Sequence, residues 1–141
     1  MSGNAQRMSA ELKALDYEPA PFTAPEQQGG GAGVQFDYIV EDGSRCGETV
    51  RLAVALHENE GKWPEVAPHW VYVSPPDRVL AELVKGSPSP GVVGQYDGEN
   101  GRIWMAISAP PSDFWDSIDT PDGKNMATYL ERHIRRIWSA R

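Results

Sequence analysis

Two stretches of period-2 alternation, separated by a turn dipeptide, constrain this chain more than anything else in it. Val34-Gln35-Phe36-Asp37-Tyr38-Ile39-Val40 alternates apolar and polar positions, and Thr49 to His57 alternates again through Val50, Leu52, Val54 and Leu56. Successive side chains of a pleated strand point to opposite faces, so alternation describes a strand with one face in a core. Between the two runs stands Asp42-Gly43, a pair that tolerates the positive φ angles of tight turns. The sequence predicts an antiparallel hairpin with Cys46 near its tip.

Two further apolar runs extend it. His69 to Ser74 follows the proline-punctuated segment Trp63-Pro64-Glu65-Val66-Ala67-Pro68, and Ile103 to Ser108 precedes the break Ala109-Pro110-Pro111. An antiparallel four-stranded meander is the simplest arrangement. Helical spacing flanks it on both sides. From Ala5 to Asp16, Met8, Leu12 and Leu15 recur three or four apart, with Ser2 or Asn4 as the cap. From Asn125 to Arg141 the stripe is Met126, Tyr129, Leu130, Ile134 and Ile137, with Arg132, Arg135 and Arg136 turned away from it. A short helix is expected over Asp77 to Lys85, after Pro76 and before Gly86. Residues 17–33, with Pro19, Pro21, Pro25 and Gly29-Gly30-Gly31, read as a loop or linker, and Ser87 to Gly101 as a long surface loop. The expected class is α+β.

At 141 residues and 40% hydrophobic content the chain is long enough for one domain, 1–141, around one core. No apolar run approaches the about 20 residues of a membrane span, and residues 1–8 lack the apolar stretch of a secretory signal. A soluble, cytoplasmic protein is expected. Cys46 is the only cysteine, which excludes an internal disulfide and a multi-cysteine zinc site. The net charge of −7 argues against nucleic acid, whose phosphates need clustered Lys and Arg, and favours a basic partner.

No stretch completes a catalytic or cofactor motif. Gly29 to Gly33 precedes a strand instead of opening a helix, and no Gly-Lys-Ser/Thr follows. His57, His69 and His133 lie far apart, with no second ligand at helical or hairpin spacing. Asp97 to Gly101 lacks the alternating ligands and terminal Glu of a calcium loop, and no Gly-x-Ser-x-Gly elbow is present. Neither a cofactor nor a metal is expected. Cys46, beside Arg45, is the one thiol able to form a thioester, with no histidine or asparagine near it in sequence.

The order of helix, meander, proline-rich turn, irregular segment and helix resembles the ubiquitin-conjugating (E2, UBC-like) fold. Two local matches carry the resemblance. Trp63-Pro64-Glu65-Val66-Ala67-Pro68-His69-Trp70 is similar to the family's Tyr-Pro-Phe-x-Pro-Pro, which leads into a central strand. Asn100-Gly101-Arg102-Ile103-Trp104-Met105-Ala106-Ile107-Ser108, with Trp115 downstream, is similar to the Asn-Gly-x-Ile-Cys-Leu-x-Ile-Leu stretch whose cysteine accepts the ubiquitin thioester. Trp104 stands where the nucleophile should be. The family's His-Pro-Asn motif has no counterpart, and the expected helix at Asp77 to Lys85 is an addition.

Tryptophan offers neither nucleophile nor leaving group, so the resemblance implies a pseudoenzyme. The expected function is protein-protein interaction: a non-catalytic module of a bacterial ubiquitin-like modification or defence pathway, with a ubiquitin-like protein or an E1-like enzyme as partner. Its surface is expected around the loop Ser87 to Gly101 and the segment Ala109 to Trp115, with Trp104, Trp115, Asn100 and Phe114 as binding residues. Two alternatives stand beside it: an acidic immunity-type inhibitor of a basic toxin, and a non-standard enzyme using Cys46.

Overall fold

The computed structural model describes residues 3–23, 32–41, 43, 46–56, 61–68, 70–74, 104–108, 115, 117–118 and 123–135. Helix α1 (Gly3–Ala14) is followed by strands β1 (Ala20–Thr23), β2 (Ala32–Ile39), β3 (Thr49–Ala55), β4 (Trp70–Ser74) and β5 (Met105–Ser108). Helix α2 (Met126–Tyr129) then continues as a π-helical turn, Leu130–Ile134. The strands form one antiparallel sheet in the order β1-β2-β3-β4-β5. The α+β class, the two terminal helices and the four expected strands, now β2 to β5, are all present.

The fifth strand is a correction. Residues 17–33 read as a loop or linker, yet Ala20–Thr23 pairs with Ala32–Gln35. Pro21 is tolerated because β1 is an edge strand, where a missing N–H costs no ladder bond, and Gln35 Nε2 donates to the Pro21 carbonyl at 2.8 Å. Gly33 belongs to the sheet for a different reason. A Cβ there would stand 1.9 Å from the Val54 carbonyl oxygen, so only glycine fits. The expected helix at 77–85 and loop at 87–101 lie outside the described residues.

Alternation divides the sheet as expected. On the inner face Phe36 pairs with Leu52 and Val34 with Val54, which in turn pairs with Val71; all are fully buried. Against them lie Ala5, Met8 and Leu12 of α1 and Met126, Tyr129, Leu130 and Ile134 of the last helix. The hairpin tip is closed by bonds between Val40 and Glu48 and between Gly47 and Val40, and Cys46 is exposed there.

Two expectations for α1 change. Leu15 is 40% exposed because the helix stops at Ala14. Tyr17 N–H donates back to Leu12 and Asp16 N–H to Lys13, with Asp16 left-handed at φ 69°. This Schellman closure reverses the chain, so that Tyr17 and not Leu15 covers the core edge-on to Phe36. Asn4 is not a cap. It lies inside α1, 5% exposed, where Nδ2 donates to the Gly61 carbonyl at 3.1 Å and Oδ1 accepts from Trp63 N–H at 3.0 Å.

Glu11 completes the junction. Its Oε1 accepts from Met126 N–H at 2.7 Å and its Oε2 from Trp63 Nε1 at 3.0 Å. Asn125 caps the same helix end by accepting from Thr128 N–H at 2.9 Å. A buried donor left without its acceptor costs about 1 to 3 kcal/mol. Glu11→Ala, which orphans two, is therefore expected to lower unfolding stability by about 2 kcal/mol or more in urea titration, with Glu11→Gln in between. Arg7→Ala, which removes only a surface ion pair to Glu11 at 3.7 Å, should leave the midpoint nearly unchanged.

Candidate functional site

Of the four residues expected to bind, two are described, and they sit on opposite faces of the sheet. Trp115 is 1% exposed. Its ring stacks on Trp63 at 5.4 Å and meets Tyr129 edge-on at 5.9 Å, and its Nε1 donates to the Pro64 carbonyl at 2.8 Å. An indole so placed pins residue 115 to the 63–68 turn and has no surface left for a partner. Tyr129 is fully enclosed, and burial pushes its phenol far above the usual range. Beside Tyr129 the buried His133 ring lies at 5.4 Å.

Trp104 is half-buried on the outer face. There the central strands carry small residues, with Ala53 opposite Gln35 and Tyr72, and Gly33 opposite Phe22 and Ala55. The shallow floor lets Phe22 of the edge strand reach Tyr72 of β4 at 5.3 Å, and Trp104 closes edge-on over Phe22 at 4.9 Å. Trp104 owes its position to β5, which pairs antiparallel with β4, Met105 opposite Val73, with an irregularity between Val71 and Tyr72. Asn100 and Phe114 lie outside the described residues.

A second feature of the outer face was not expected from the sequence. β1 pairs with β2 only as far as Gln35, and beyond it a depression of about 630 Å3 opens. Its floor is Asp37, Ile39, Thr49 and Arg51; Glu41 and the turn Asp16 to Glu18 form its walls. Arg51 is engaged, donating to Asp37 at 3.1 Å and Gln35 at 3.2 Å. Burial, and next the Glu41 carboxylate, raises the phenol pKa of both Tyr17 and Tyr38. The sequence signal was available in Asp16, Glu18, Asp37 and Glu41, but only the fold shows that they surround one isoleucine.

Among the described residues no three His, Cys, Asp or Glu side chains gather to hold a metal ion, and no helix is long and apolar enough to cross a membrane. No protein family, no characterised protein and no solved structure matches the chain. The two tryptophans are separable by experiment. Trp115→Ala empties a core site and is expected to cost about 3 to 5 kcal/mol. Trp104→Ala removes a half-buried ring and should cost about 1 kcal/mol. Chemical denaturation of both variants checks the difference; equal losses would place Trp104 in the core as well.

Proposed function

We propose that this chain is a non-catalytic E2-like binding module that acts on a ubiquitin-like protein or its E1-like activating enzyme, in a bacterial modification or defence pathway. The observation that carries the reading is the setting of Trp104. In the resemblance this residue matches the thioester-forming cysteine, and it stands at the entry to a strand hydrogen-bonded to β4, edge-on to Phe22. Two further features support the frame. The Trp63 to Pro68 turn leads into a central strand, and the first and last helices pack on one face of an antiparallel meander. A tryptophan in that place removes covalent transfer and leaves recognition.

The inhibitor reading has one observation in its favour, the carboxylate-lined depression in a chain of net charge −7. Electrostatic complementarity of that kind speeds the capture of a basic toxin. Partner identity separates the two readings.

Incubation with the host's ubiquitin-activating enzyme, ATP and ubiquitin-like protein, followed by non-reducing electrophoresis, tests the loss of chemistry. No reductant-sensitive adduct is expected, while the unmodified chain retains the ubiquitin-like protein or the activating enzyme on an affinity column. An adduct that disappears in Cys46→Ser would contradict the proposal and assign a thiol enzyme instead.

A further inference from the structure

The depression beyond Gln35 combines two properties that are each ordinary and together select a ligand. At its centre Ile39 is 58% exposed, an aliphatic side chain left on an open sheet face. Around it Asp16, Glu18 and Glu41 are paired with no cation among the described residues, because Arg51 is held by Asp37 and Gln35. A surface with an apolar centre and an anionic rim matches a side chain with an aliphatic stem and a cationic head. Lysine and arginine are built that way.

We propose that this groove docks an extended lysine- or arginine-bearing segment of a partner protein, the stems lying on Ile39 and the charged heads reaching the carboxylates. The volume, about 630 Å3, falls within the range of pockets that enclose a few side chains. Charge excludes the other polymers: nucleic acid and anionic lipid would bring phosphates to Glu18 and Glu41. A divalent cation is not favoured, since no three ligands converge among the described residues. The inference rests on the binding-module reading only in that the chain acts by contact; it adds the surface and the partner's chemistry.

Fluorescence anisotropy at low salt tests it, with a labelled peptide of alternating lysine and serine as probe. Saturable binding is expected, and it should weaken as ionic strength rises. The same peptide with glutamate for lysine should not bind, and one with short-stemmed diaminopropionate for lysine should bind more weakly. Both Ile39→Ser and the double variant Glu18→Gln/Glu41→Gln should weaken the lysine peptide by about tenfold or more. These side chains are exposed, so thermal melting should be unchanged in both. Absence of binding by the wild type, or unaltered affinity in either variant, would overturn the inference. Such a result leaves the adduct assay untouched, so the two proposals fail separately.

Discussion

The carboxylate of Glu11 is the interaction on which the rest of the structure depends. One side chain on α1 accepts the first amide of α2 and the indole N–H of the 63–68 turn. These three segments are up to 115 residues apart in sequence. Closing loops of that length costs conformational entropy, and the compensation must come from contacts that only the closed form makes. Apolar burial alone is non-directional. Glu11 and Asn4, one helical face of α1, supply the direction: their hydrogen bonds fix where Trp63 stands, and Trp63 in turn sets the stack with Trp115 and the edge contact with Tyr129.

With that junction formed, the inner face of the sheet is fully occupied. The two helices, the 63–68 turn and Trp115 cover Phe36, Leu52, Val54 and Val71, and a second cluster of Phe22, Ala53, Ala55 and Tyr72 with Trp104 lies on the outer face. There the strands carry opposite characters along their length. Near β1 and β4, small residues make room for the Phe22, Tyr72 and Trp104 rings. Past Gln35, the ribbon of β2 and β3 carries charge around Ile39. The first region holds Trp104; the second is lined by Asp16, Glu18, Asp37 and Glu41 with Arg51 among them.

Period-2 alternation made the hairpin legible because one buried face leaves a mark at every second residue, and β4 was legible as a continuous apolar run, Trp70 to Val73, behind the proline-punctuated turn. Trp115 was legible as a feature but not in its role: a lone tryptophan beyond a proline break has no period, and only the meeting with Trp63 and Tyr129 makes it a core residue. β1 and the first residues of β2 were hidden because Pro21 and Gly33 are penalised by propensity, while edge position for Pro21 and, for Gly33, a backbone approach of 1.9 Å to a hypothetical Cβ override it. Asn4 carried a usable signal, standing four residues before Met8 on the same face as Leu12. A polar residue in an apolar stripe marks a buried partner as readily as a cap. The groove was illegible, since its walls and floor come from three separated segments. The π-helical turn Leu130–Ile134 was equally hidden, since Met126, Tyr129, Leu130 and Ile134 stand at the spacing of an ordinary α-helix.

The hydrogen bonds of Glu11 and Asn4 tie helices, turn and sheet into one cooperative unit through α1. Native-state hydrogen exchange measures this directly, residue by residue. The amides of Met126, held by Glu11, and Trp63, held by Asn4, should open with the same free energy as Leu52 and Val54 in the centre of the sheet, through global unfolding alone. Exchange at Met126 about tenfold or more faster than at Leu52 would show the last helix detaching on its own, and would contradict the account.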